Sequence, residues 1–183
     1  MDSSPSTNDR VPRLETPRLT LRGHSADDHA AVAALWGDPE VAKHISGVPS
    51  TPEESWARML RYAGLWGLLG YGYWAVIEKA SGRFAGDVGL ANFKRQMDPP
   101  LGDIPEAGWV LAPFAHGKGY ATEAVQAVLA WSDATLKAPI ACIVAPENPA
   151  SIRVAEKVGF AKIAEGTYKT WPTWVYRREP RAV

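Results

Sequence analysis

The chain has 183 residues, with 20 Lys plus Arg against 20 Asp plus Glu, 46% hydrophobic residues and one cysteine. That length and composition predict one soluble domain with a complete core, and the balanced charge removes the overall basic field expected of a nucleic-acid binder. No stretch approaches ~18 consecutive apolar residues, so no membrane span is expected, and the lone Cys142 excludes an internal disulfide framework.

The polar opening lacks the apolar segment of a signal peptide, which predicts a cytoplasmic protein. Residues 1–12 have no apolar periodicity and read as a flexible tail, followed by one domain over 13–180. Residues 18–22 alternate polar and apolar and predict a first strand. Ser25 and Asp28 form a capping-box pair that opens a helix ending near Gly37. Thr51-Pro-Glu-Glu54 is a second capping box, with Pro52 at the first helical position. This helix is expected to reach about Gly67, weakened by Gly64, Gly67 and Gly70.

Two β-rich runs, 71–78 and 84–93, flank a short loop holding Gly82 and predict an antiparallel hairpin. Residues 94–105 contain Asp98-Pro-Pro-Leu-Gly-Asp103 and read as a loop. Beyond it the expected order is a strand from Glu106, a helix, a strand over 139–145, a helix over 149–158, and strands over 160–170 and 173–178. The first strand-helix-strand unit must be parallel and right-handed.

The transition from the Glu106 strand into its helix carries the most chemistry. Gly117 and Gly119 permit positive φ or close approach to a ligand, and the first amides of a helix lack intrahelical partners at the positive end of its dipole. Such a turn suits an anion. Ala121, Ala124, Val125, Val128, Leu129 and Ser132 follow the spacing of one buried helical face. A nucleotide P-loop is a poor match, because Lys118 is not followed by Ser or Thr. Cys142 sits in an apolar run and reads as core packing.

His116-Gly-Lys-Gly-Tyr-Ala121 resembles the Arg/Gln-x-x-Gly-x-Gly/Ala turn of the GNAT acyltransferase superfamily, which binds the pyrophosphate of an acyl-coenzyme A. Downstream, Glu147-Asn-Pro-Ala-Ser-Ile-Arg-Val-Ala-Glu-Lys-Val-Gly-Phe160 is similar to the second coenzyme-A segment of that superfamily. The opening Leu14-Glu-Thr-Pro-Arg-Leu-Thr-Leu-Arg22, with Asn148 and Ser151, is similar to the branch of RimJ and RimL ribosomal-protein N-acetyltransferases.

The resemblance implies a mixed α/β fold: a mostly antiparallel sheet with a splayed parallel pair at its centre, flanked by helices. It also implies acetyl-CoA as cosubstrate, no metal, and a cofactor site made of Val110, Leu111, His116, Gly117, Lys118, Gly119, Tyr120, Ala121 and Asn148. His116 stands where the family has Arg or Gln, so the pyrophosphate would lean on backbone amides, with His116 either donating to a phosphate or solvated. Lys118 either adds charge there or is a solvated first-turn residue. Many members carry a tyrosine at the position of Ala155, leaving Ser151 either as the hydroxyl on that helical turn able to stabilise the departing thiolate or as a plain helix-start residue facing solvent.

Glu106 matches the acidic residue of the branch's Glu-x-Gly pattern and is either the candidate base for an amine that must lose a proton before attack or a surface carboxylate at a strand end. The acceptor is expected to be a primary amine, either a protein N-terminus or a small amine, and a homodimer is implied by resemblance alone. A non-catalytic acyl-CoA sensor or structural subunit is the alternative. Of the eight tryptophans, Trp36, Trp56, Trp74, Trp109 and Trp131 read as core or pocket wall. Trp171-Pro-Thr-Trp174 reads as a turn before the last strand, either bordering the acceptor cleft or forming a hydrophobic corner.

Overall fold

A computed structural model describes residues 11–45 and 47–182; residues 1–10 of the expected tail lie outside it. Val11 packs against the core and Pro12 O accepts from Trp74 Nε1 at 2.7 Å, so the fold begins inside the span read as tail.

The strands are β1 (Leu14–Glu15), β2 (Leu19–Arg22), β3 (Tyr73–Glu78), β4 (Phe84–Ala91), β5 (Met97–Asp98), β6 (Glu106–Leu111), β7 (Ile140–Val144), β8 (Ala161–Tyr168) and β9 (Trp171–Arg178). The helices are α1 (His29–Trp36), α2 (Pro39–Ala42), α3 (Pro52–Leu69), α4 (Tyr120–Thr135) and α5 (Pro149–Lys157). One sheet runs in the order β1-β2-β3-β4-β6-β7-β9-β8-β5, antiparallel except for β6 and β7. This is the expected mixed α/β architecture. The β6-α4-β7 unit is its parallel crossover, and α1 and α3 cover one face while α4 and α5 cover the other.

Both capping boxes form, and α1 ends at Gly37. The helix α3 continues past Gly67 to a left-handed Gly70, φ 73°. Burial of Met59, Tyr62, Leu65 and Trp66 outweighs the cost of about 1 kcal/mol for each internal glycine. Alternate residues of β3 supply both faces. Tyr73 stacks on Tyr62 with centroids 4.3 Å apart, while Trp74 meets Trp66 and Trp131 edge-on at 4.6 and 5.2 Å. Fully buried Asp87 on β4 is satisfied by Trp36 Nε1 at 2.8 Å and His24 Nε2 at 2.7 Å.

Three expectations are corrected. The span 94–105 is not all loop: Met97 and Asp98 form β5, which pairs with Tyr168 and Thr167 on β8. Trp171-Pro-Thr-Trp174 lies inside β9, not in a turn before it. Pro172 is tolerated there because it pairs only with Thr167, β7 first joining β9 at Trp174, so no second neighbour needs its missing N–H. Trp56 is partly exposed on α3 and is not core.

Candidate active site

The site begins with a failure of strand pairing. Strand β6 pairs with β4 over its whole length, from Ala91↔Glu106 to Gly86↔Leu111, but its parallel register with β7 is the single pair Glu106↔Ala141, beside Ala141 N donating to Pro105 O at 2.9 Å. Beyond Glu106 the two strands diverge, so among the described residues no strand lies beside the β6 edge carrying Val110 and Leu111. The wedge opens at the carboxyl end of β6, where α/β sheets place ligands.

At the same end the chain passes through Gly117 (φ 73°) and Gly119 (φ 77°) into α4. The first amide drawn into a helical bond is Glu123 N–H, which donates to Gly119 O at 3.1 Å. Among the described residues, nothing accepts from the amides of residues 117 to 122. A Cβ added at Gly117 would meet nothing within 4 Å, so one side of the turn is open. Free amides, positive φ and the helix dipole together fit a diphosphate.

The side chains of this turn point elsewhere. His116 Nε2 lies 2.8 Å from Leu111 O, an acceptor, so Nε2 carries the proton and donates. In the neutral ring Nδ1 is then an acceptor, which offers nothing to a phosphate. Tyr120 OH donates to Glu78 Oε1 at 2.8 Å, and Lys118 Nζ lies 3.2 Å from the same oxygen. Hydrogen bonds from Ser81, Tyr120 and Lys118 hold the Glu78 carboxyl down at about 2.

Arg18, which sequence reasoning placed in a strand and in the family-like opening segment but gave no role at the turn, braces the turn from behind. Its Nη1 donates to Lys118 O at 2.8 Å, its Nη2 lies 2.6 Å from Glu123 Oε2, and its guanidinium sits over the Tyr120 ring. No local pattern could have found a brace separated from its partners by about a hundred residues.

On the other side of the wedge, Asn148 caps α5 by accepting from Ser151 N at 3.0 Å, with Pro149 in the first turn. Ser151 Oγ accepts from Trp109 Nε1 at 3.3 Å, so the indole spans from β6 to α5. A hydroxyl that accepts keeps its own hydrogen to donate. Ser151→Ala is expected to lower kcat about tenfold, the worth of one hydrogen bond of about 1.4 kcal/mol to a departing thiolate, while calorimetry finds coenzyme A binding unchanged. An unaltered kcat would leave Ser151 a helix-start residue only.

Glu106 opens β6 and is 5% exposed. Its carboxylate is gripped by Arg95, with Nε 2.6 Å from Oε2 and Nη2 2.9 Å from Oε1. Burial opposes the Arg95 charge, but the hydrogen bonds and charge of Glu106 outweigh it and raise the guanidinium above its ordinary value. Sequence reasoning did not single out Arg95 as a partner of Glu106.

Glu106 and Ser151 are not side by side. Side chains alternate along β6: Glu106, Gly108 and Val110 face α1 and α3, where Val110 packs near Val32, Trp36 and Met59. Ala107, Trp109 and Leu111 face the α4 core. The two candidates therefore sit on opposite faces of the sheet, with the wedge connecting them. Tyr73 Oη lies over Gly108, where any Cβ would collide with it, and walls the Glu106 face. The only cysteine, Cys142, is buried, and burial pushes its thiol well up, so it presents no thiolate nucleophile.

Residues 18–161 match the family model described as Acetyltransferase (GNAT) domain. The chain is 31% identical over 176 residues to the uncharacterised Bacillus subtilis protein YkkB, covering 91% of this chain and 95% of that one. It is 30% identical over 151 residues to the uncharacterised N-acetyltransferase p20 of Bacillus licheniformis, covering 81% and 82%. Among solved structures, a GNAT-family acetyltransferase from Bordetella pertussis superposes with TM-score 0.80 at 26% identity, covering 91% and 99%. RimL, a ribosomal L7/L12 alpha-N-protein acetyltransferase solved with coenzyme A, shares the fold with TM-score 0.75 at 15% identity, covering 92% and 98%.

Proposed function

Because this chain belongs to the GNAT acetyltransferase family, we propose that it moves the acetyl group of acetyl-CoA directly to a primary amine across the wedge between β6 and β7. The observation that carries the reading is the run of amides at residues 117 to 122, beside that wedge, that have no acceptor among the described residues.

Acetyl-CoA supplies an activated acyl carbon when bound. The backbone amides from Gly117 to Ala121 hold its pyrophosphate, with His116 and Lys118 shaping the turn through Leu111 and Glu78 rather than through the phosphates. The open edge at Val110 and Leu111 and the capped start of α5 at Asn148 flank the path of the pantetheine arm. The amine approaches from the face of Glu106, which receives its proton as the C–N bond forms. The C–S bond breaks on the opposite face, where the Ser151 hydroxyl donates to the leaving sulfur. With Cys142 buried, no acyl-enzyme is needed.

The test is amine-dependent release of coenzyme A thiol across N-terminal peptides, polyamines and small amines, with cofactor binding followed by calorimetry. Release that depends on the amine is the expected result; tight cofactor binding with no thiol released by any amine would contradict transfer.

A further inference from the structure

The acceptor face carries a fixed cation. Arg95 makes its two-point contact with Glu106 while the rings of Phe93 and Tyr168 lie 4.8 and 4.6 Å from its guanidinium carbon, and its side chain is 20% exposed. The segment bearing it is pinned at β5 to β8, where Gly166 is required because a Cβ there would collide with Asp98 O. Neither end of the pair is free to swing: one is on the rigid strand β6, the other on a segment stitched to the sheet.

The consequence is electrostatic. The Glu106 carboxylate is already neutralised by a neighbouring guanidinium, and Lys94, the preceding residue, is itself paired with Asp103. A polycationic amine is favoured by unopposed carboxylates and disfavoured by a fixed positive charge at the point of attack. A guanidinium has five N–H donors, and the contact with Glu106 uses two; a carboxylate has lone pairs to spare after accepting two bonds. Both partners therefore keep binding capacity, of opposite sign and a few ångströms apart.

Resting on the acetyltransferase reading above, we infer that the acceptor is an amine bearing a carboxylate close to its amino group, as in an amino acid: Glu106 receives the ammonium end and Arg95 the carboxylate end. Arg95 is a specificity-determining residue. It matches a planar carboxylate by its fork and repels a second ammonium.

The test compares kcat/KM for matched acceptors differing only in the carboxylate, L-amino acids of aliphatic, aromatic and acidic type against their decarboxylated amines, with spermidine as the polycation. The wild-type protein is expected to prefer the carboxylate-bearing member of a pair by about tenfold or more, the worth of one charge-assisted contact. Arg95→Met is expected to lower kcat/KM for both members, because it also releases Glu106, and to lower it about tenfold further for the carboxylate-bearing member, so that the preference is lost. Arg95→Lys keeps the charge without the fork and is expected to retain a reduced preference, which guards against a folding defect in the first variant. Efficient acetylation of spermidine or of the decarboxylated amines by wild type, or an equal loss on both members in Arg95→Met and Arg95→Lys, would overturn the inference while leaving acetyl transfer intact. Silence with every amine despite cofactor binding would overturn the acetyltransferase reading, and this inference with it.

Discussion

Glu106→Gln is expected to lower kcat/KM for acetyl transfer about 10²- to 10³-fold, the range a positioned base supplies, and the loss is expected to deepen as pH falls. At lower pH less of the amine is free, so the step depends more on a group that accepts its proton. The same substitution removes the anion facing Arg95. A guanidinium only 20% exposed would keep at most one neutral acceptor in place of two charged ones, at a cost of about 2–3 kcal/mol visible as a lower melting temperature. Coenzyme A affinity should not change, because the glycine turn lies at the far end of β6. A loss of rate that is flat with pH would assign Glu106 to orienting the amine, and a loss of coenzyme A affinity would show that the substitution deforms β6.

Gly119→Val is expected to weaken coenzyme A binding about 10²-fold, equivalent to about 2.7 kcal/mol. Gly119 has φ 77°, which a β-branched residue adopts only with strain of about 1–3 kcal/mol, so the turn would relax and turn its amides off the pyrophosphate. The Arg18 guanidinium, 3.5 Å from where the first added carbon would stand, leaves little room on that side. Acetyl-pantetheine, which lacks the pyrophosphate, provides the control. Its kcat/KM should fall far less than that of acetyl-CoA; an equal fall for both would mean the turn does not hold phosphate.

What was legible in the sequence was local. The strand, glycine turn and helix from Glu106 to Thr135 could be read because each step has a short-range signature: positive-φ glycines and apolar positions on one helical face. Asn148 and Ser151 could be read for the same reason, since a capped helix start announces itself within four residues. The Arg95 grip on Glu106 could not, because Arg95 is held in place by β5 pairing with β8 some seventy residues away, and two strand residues among prolines and aspartates carry no alternating pattern. The two tryptophans at the start of β9 were misplaced by Pro172, which reads as a turn residue until the short reach of β7 is known. Arg18 behind the glycine turn depends on β2 lying beside α4, again a product of the assembled sheet. Pairing strands through the sheet also explains why Glu106 and Ser151 face opposite sides of the wedge, a relation that depends on which helix covers which face of β6.

The measurement closest to the central claim is mass spectrometry of the protein incubated with acetyl-CoA labelled in its acetyl group and a panel of amines. Direct transfer predicts label on the nitrogen of an acceptor amine, one equivalent of free coenzyme A for each product formed, and an unaltered mass for the protein itself. Label found covalently on the protein before any amine is added, or remaining wholly on coenzyme A with every amine tried, would contradict it.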